Sequence, residues 1–438
     1  MPSMGSCDVP ERDGWREGAA PEHSARRTTA MRALLLMASA LALFAVAPAR
    51  SEDDLTRLLA QAMATHPIVE GRRAALEASR ADREGAEWQR FPTPSLEATT
   101  RDSGTSASLL ALEQPVWTGG RITSGVRAAG FREDAARSAV VESQETIALR
   151  VINAYSELLR QQQRLVHAEA SVGEHDRLLA MITRRVEQEV SPPADREFAL
   201  ARLAQARIEL SLARQGVQAA GSQLSQLVGQ PVRQVADPAP GARPLPSSLD
   251  AAVARAIERS PALERLDRAS LAAVEDVNTR RSVLQPQLAL RLEKQFGTLA
   301  DNRALVVLRA QPGAGLSAAS SVASAQRRVD EARLAREEAV RGLREQVETA
   351  WVQYAAAEER VGGSRQSVEM SRLVSESYAR QYVAGRKTWI DVLNAVREAT
   401  QSQFALADAL AQSRAAGLTL WLLTGSPESG RPGGGTRP

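Results

Sequence analysis

Apolar positions along the chain change period in a fixed order, and that order occurs twice. Residues 55–91 and 249–284 carry helical spacing, as in Leu249, Val253 and Ile257. A short alternating stretch follows each. In the second copy Leu288, Leu290 and Leu292 face one way and Arg291, Glu293 and Gln295 the other, the pattern of a two-faced strand. "TLADNRA" (298–304) is expected to turn the chain and "LVVLRA" (305–310) to return it, giving strands at about 287–297 and 304–310. The first copy predicts strands at about 95–101 and 106–113 around a turn at Asp102-Ser103-Gly104. Pro115 and Pro312 are expected to end the second strand of each pair, since proline donates nothing to a ladder. Gly119 and Gly120, and Gly313 and Gly315, then let the backbone swivel into a helix.

The next stretches are long. From about Arg121 to Glu189, and from Ser317 to Ala384, nothing breaks the helical pattern. Val340, Val347, Tyr354, Val361 and Val368 are spaced by seven, with Leu343, Ala350 and Ala357 three residues after the first three. Val151, Leu158, Leu165, Val172 and Leu179 keep the same phase in the first copy, which predicts coiled-coil packing. Close to 70 residues would make roughly 100 Å of helix. Each long helix should turn back on itself, at about 189–194 in "VEQEVSPPADREF" and at about 384–388 in "YVAGRKTWIDVLNAVREA". In the second turn Gly385 suits a helix end and Thr388 the cap of the next helix.

The two copies align residue by residue. "LTRLLAQAMATHPIVE" from Leu55 matches "LDAAVARAIERSPALE" from Leu249 at an offset of 194, and Asp195 matches Asp391 at 196. The organisation is therefore a leader and signal peptide (1–49), a first repeat (50–229), a Pro-rich linker (230–248), a second repeat (249–425) and a disordered tail (426–438). The signal peptide is read from Arg26, Arg27 and Arg32, the apolar run Ala33 to Ala47, and the small residues Ala47-Pro48-Ala49. Cys7, the only cysteine, lies in that leader, so neither a disulfide nor a lipid anchor is expected. An exported chain of this kind is periplasmic, secreted, or held in an outer membrane by β-strands.

Composition removes several function classes. A formal net charge of +3 over 438 residues, without a basic cluster interleaved with aromatics, argues against nucleic acid. His66, His167 and His175 have no second ligand at metal spacing, no Gly-rich phosphate loop follows a strand, and no serine has a base at recognisable spacing. No catalytic residue, metal or cofactor is expected. Four strands per chain cannot close a barrel, whereas three copies give 12, an even number that closes in an outer membrane. Leucines would then face lipid, and Arg291, Glu293 and Gln295 a wet lumen. Trp117 suits either an interfacial belt or the core at a helix start.

With "THP" (65–67) and "RSP" (259–261), "EQPVWTGGR" (113–121), the Leu-x-Gly repeat ends and "AGRKTWIDVLNA" (384–395), the chain resembles the TolC-like outer-membrane export channels over nearly all of residues 53–425. The resemblance implies a mainly α fold with a small β part: a trimeric 12-stranded barrel continued by a periplasmic α-helical tunnel. It implies a passive exit duct engaged by a periplasmic adaptor and an inner-membrane ABC exporter or proton-driven pump. "QPGAGLSAASSV" (311–322) resembles the branch serving type I secretion of large adhesins; the outer-membrane factor of a drug or metal efflux pump is the alternative within transport. Carried onto this chain, Asp391 matches a carboxylate ringing the constriction, with Asn394 where a second is often found. Tyr382, Lys387 and Asp195 match contacts that hold the tip shut, and Glu189 replaces a usual Gly. A rival from another class is a periplasmic adaptor, which also uses a long helical hairpin, though one rather than two.

Overall fold

The structure is a computed structural model and describes residues 51–100, 106–237, 244–296, 301–311, 313–314 and 317–425. The expected leader, signal peptide and tail, and the candidate residues Pro312 and Gly315, lie outside the described residues.

Each repeat builds the same series. The first runs α1 (Ser51–Thr65), α2 (Pro67–Trp88), β1 (Thr93–Thr100), β2 (Ser106–Trp117), α3 (Arg121–Glu187) and α4 (Pro193–Val228). The second runs α5 (Leu249–Arg259), α6 (Pro261–Arg281), a 3-10 turn (Ser282–Leu284), β3 (Gln287–Phe296), β4 (Asp301–Arg309), α7 (Ser317–Val383) and α8 (Trp389–Leu423). The first helical stretch of each repeat is broken at its proline, Pro67 or Pro261, which opens the next helix where its missing N–H costs nothing. The preceding residue caps that helix: His66 Nδ1 accepts from Ile68 N at 3.2 Å, and Ser260 Oγ from Leu263 N at 3.3 Å.

The strands form one antiparallel sheet in the order β1-β2-β3-β4. Pairing of β2 with β3, as in Leu112 opposite Leu292 and Glu113 opposite Arg291, joins the two repeats. Two expected boundaries are corrected. Pro115 does not end β2, which continues to Trp117 with a shift of register between Pro115 and Trp117. The ladder to β1 stops at Glu113, so Pro115 pairs only with Ala289 of β3 and its missing N–H leaves no bond unmade on the other side. Asp301–Arg303 belong to β4 rather than to the turn, because Arg303 pairs with Glu293 and Asp301 with Gln295.

The long helices pack as two antiparallel hairpins, α3 with α4 and α7 with α8, and α3 also lies against α8. Around the middle of α3, Ile147, Val151, Ile152, Tyr155 and Leu158 are fully buried against Leu55 and Leu58 of α1 and Leu224 and Val228 of α4. The seam in α7 follows the sevenfold pattern at Val347, Ala350, Ala357 and Val361. In α3 burial beyond Leu159 also recurs at seven, at Ala168, His175 and Ile182 and at Ser171 and Leu178, but the expected Leu165, Val172 and Leu179 are only half-buried, as Val340, Tyr354 and Val368 are in α7. α3 packs against both α4 and α8, so its buried face takes in Ser171 and Leu178 beside the expected stripe.

The start of the linker is extended and strapped to α3. Gln162 donates to Val235 O at 3.3 Å and accepts from Val235 N at 3.1 Å, and Tyr155 Oη donates to Ala236 O at 2.5 Å. Among the described residues no helix is long and apolar enough to cross a membrane.

Candidate functional site

Two regions carry the features singled out from the sequence: the sheet at one end of the helical hairpins and the turns at the other. Residues directly opposite in an antiparallel pair share a face, so the register sorts the sheet into two sides. One side carries Leu112, Leu292 and Ala304 in one row and Leu290 and Val306 in another. Its leucines are exposed, Leu290 by 42 % and Leu292 by 47 %, as are Leu96, Val306 and Leu308. The other side carries Arg291, Glu293 and Gln295, each half-buried. There Arg291 Nε stands 2.9 Å from Glu293 Oε1 and Arg309 Nη1 3.6 Å from Glu113 Oε1. Among the described residues β1 and β4 each pair on one side only, which leaves two open edges. Trp117 is exposed beside Leu288 where the sheet gives way to α3. Gly119 and Gly120, both at positive φ, make that passage, and a Cβ on Gly119 would meet the Gln285 side chain at 2.6 Å. Gly313 has positive φ at the matching exit.

At the far end both helical hairpins turn through a left-handed residue. Glu189 has φ 55° and Gly385 φ 71°, and Glu189 is the one non-glycine among the described residues with positive φ. The chain then folds back in the same way: Val190 N donates to Arg185 O at 2.9 Å and Arg386 N to Gln381 O at 2.9 Å. Beyond the turn the two differ. Thr388 and Asp391 cap α8 reciprocally, with Thr388 N and Thr388 Oγ1 donating to Asp391 Oδ2 at 3.0 and 2.8 Å and Asp391 N to Thr388 Oγ1 at 3.2 Å. The hydroxyl and N–H of Thr388, with a smaller contribution from Lys387, hold the Asp391 carboxyl below the ordinary aspartate range. At the first turn Pro192 supplies neither hydroxyl nor N–H, and Asp195 N donates to Pro192 O at 3.0 Å. Asn394 is exposed one turn into α8.

The turns are held together by an aromatic cluster that the sequence reading missed in part. Tyr382 and Trp389 are buried with ring centroids 5.2 Å apart, against Leu178 and Ile182 of α3 and Val392 and Leu393 of α8. The Arg185 guanidinium lies over the Tyr382 ring at 4.9 Å, and Ser191 Oγ lies 3.4 Å from Tyr382 Oη. Tyr382 therefore reaches the first hairpin, but through Arg185 and Ser191 rather than Asp195. Lys387 does not pair with Asp195 in this chain; its Nζ stands 4.2 Å over the Tyr378 ring of its own hairpin. The available signal was the repeat itself, because Ser191 occupies the position of Lys387 at the offset of 196. Among the described residues no group of three or more His, Cys, Asp or Glu side chains is placed to hold a metal ion.

The family model for "Outer membrane efflux protein" matches residues 58–230. The outer membrane efflux protein BepC of Brucella suis biovar 1 is 24 % identical over 309 residues, 68 % of each chain. Among solved structures, a membrane protein from Pseudomonas aeruginosa superposes with a TM-score of 0.73 at 20 % identity, covering 85 % of this chain and 92 % of that one. The outer membrane protein VceC of Vibrio cholerae gives 0.72 at 19 % identity, covering 85 % and 96 %. At these identities the structural likenesses speak for the fold.

Proposed function

The chain belongs to the outer membrane efflux protein family, of which the TolC-like channels are members, and on that premise we propose that it works as a homotrimeric exit duct. The observation that carries this reading is the sheet: four strands with an apolar exposed side, a charged opposite side and, among the described residues, two unpaired edges. In lipid, open edges leave backbone N–H and C=O groups without partners, and closure removes them. Three copies supply a 12-stranded barrel with leucines toward lipid and Arg291, Glu293 and Gln295 lining the lumen. The helical hairpins then extend into the periplasm as a tunnel, and their turns form the periplasmic mouth. A single-hairpin adaptor has no use for such a sheet, and the rival reading is set aside.

At the mouth, Asp391 lines the constriction with Asn394 a turn beyond. Tyr382, reaching Arg185 and Ser191 of the first hairpin, holds the tip closed. Lys387 steadies its own hairpin over Tyr378, and Asp195 takes no direct part. A periplasmic adaptor and an inner-membrane ABC exporter or proton-driven pump complete the export system. No cofactor enters this reading. The segment at 311–322 favours type I protein secretion as the branch, and the name of the Brucella relative favours efflux.

Resting conductance of the purified protein in a planar bilayer tests the duct and its gate together. Wild type should run as a heat-modifiable trimer of low conductance, and Tyr382→Phe with Lys387→Ser should leak while remaining trimeric. A soluble monomer without channel activity would overturn the reading. Asp391→Ala should weaken block by a multivalent cation added on the periplasmic side.

A further inference from the structure

A cavity of about 550 Å³ lies between the two hairpins, lined by α3 and α4 of the first and α8 of the second. Four arginines reach it: Arg160 and Arg164 from α3, Arg202 from α4 and Arg397 from α8. The first two are already matched, since Asp408 lies 3.1 Å from Arg160 Nη1 and 2.9 Å from Arg164 Nη1. The other two are not. No ion pair of the described residues includes Arg202 or Arg397, and one further carboxylate, Glu209, lines the cavity. Arg202 Nε is buried without a hydrogen-bond partner, while its guanidinium carbon lies 5.0 Å over the Phe198 ring.

From this we infer that the cavity is an anion site that takes a small multivalent oxyanion of the phosphate class. A guanidinium fork offers paired N–H donors that match a tetrahedral oxyanion, and partial enclosure strengthens such bonds relative to water. Arg202 and Arg397 both line the cavity without a carboxylate partner, and an oxyanion seated between them supplies the missing counter-charge. Because Arg202 belongs to the first hairpin and Arg397 to the second, the anion bridges them part-way between the sheet and the turns. A movement that separates α8 from the first hairpin would release it. The site does not depend on the channel reading, since it uses one chain's own residues.

Calorimetric titration of the purified full-length protein with inorganic pyrophosphate, in low chloride near neutral pH, tests this. Wild type should bind saturably. Arg202→Gln and Arg397→Gln should each weaken binding by about tenfold or more, the loss of one charge-assisted contact. Arg202→Lys, which keeps the charge but not the fork, should weaken it less. Arg365→Gln, an exposed arginine on α7 away from the cavity, should bind as wild type. Unchanged oligomeric state and circular dichroism establish that each variant is folded. No saturable binding by wild type overturns the inference; so does binding by folded Arg202→Gln and Arg397→Gln that equals wild type.

Discussion

At the offset of 196 residues the turn after α3 and the turn after α7 place a left-handed residue at the same position, Glu189 in one and Gly385 in the other. The capping position is Pro192 in one and Thr388 in the other, and the first turn lacks the aromatic pair that the second supplies. The second turn is locally complete: a glycine takes the positive φ, a reciprocal cap satisfies the helix start, and Tyr382 and Trp389 bury one side. The first turn keeps the backbone path with a strained residue and a rigid proline entry, and leans on Tyr382 of its neighbour through Arg185 and Ser191. One backbone geometry thus rests on two distributions of stabilisation, and cutting the aromatic link should cost the first turn more than the second.

The strongest test removes Trp389. Its side chain is 2 % exposed in the cluster that joins the hairpins, so Trp389→Ala should destabilise the tip by about 3–5 kcal/mol. Hydrogen exchange should show lost protection in α3 around Leu178 and Ile182 as well as in α8. Protection lost in α8 alone would mean that the hairpins are held together elsewhere. Trp389→Phe sharpens the point: the indole Nε1 is buried without a partner, so removing it while keeping a ring should cost far less than the alanine change.

Next in size is the cap. Thr388→Ala should loosen the first turn of α8 by about 1 kcal/mol, read as local exchange, and leave the Glu189 turn unchanged. The opposite sign is expected at the other turn. A left-handed conformation costs a non-glycine residue roughly 1–2 kcal/mol, part of which glycine returns through its freer unfolded chain. Glu189→Gly should therefore stabilise the first turn by somewhat under about 1 kcal/mol. A destabilised variant would show that the Glu189 side chain holds something in the assembled protein.

Much of this contrast could be read in the sequence, because a repeat makes each position a control for its partner. The matched series of helices, strands and turns followed from periodicity, and the Gly-to-Glu exchange at 189 marked the residue that now carries positive φ. What the pattern did not carry is equally physical. Proline in β2 looks like a strand end unless one knows that the β1 ladder stops at Glu113. The buried face of α3 takes in Ser171 and Leu178 because two neighbouring helices pack on it, and a heptad count sees one. Lys387 and Asp195 look complementary as charges, yet an exposed ion pair has little energy with which to impose its geometry, and the Tyr378 ring is nearer to hand.

The smallest expected effect is an acid dependence at one turn. Thr388 and, more weakly, Lys387 hold the Asp391 carboxyl below its ordinary range. A carboxylate whose folded value is lowered contributes stability that is complete above the unfolded value, near pH 4, and is lost as pH falls through the lowered one. Protection of the first turn of α8 should thus persist at pH 5 and fade only below the usual aspartate range. Thr388→Val removes the hydroxyl that contributes most, so the fading should begin at higher pH. Lys387→Ser should move the onset less. Asp391→Asn should abolish the step, and the turn at Glu189, which takes no part in this cap, should be unchanged by any of these variants. Exchange measured by mass spectrometry across pH, corrected for the intrinsic rate, reads both turns in one experiment. An acid step in α8 that survives Asp391→Asn would show that the reciprocal Thr388–Asp391 cap is not its source.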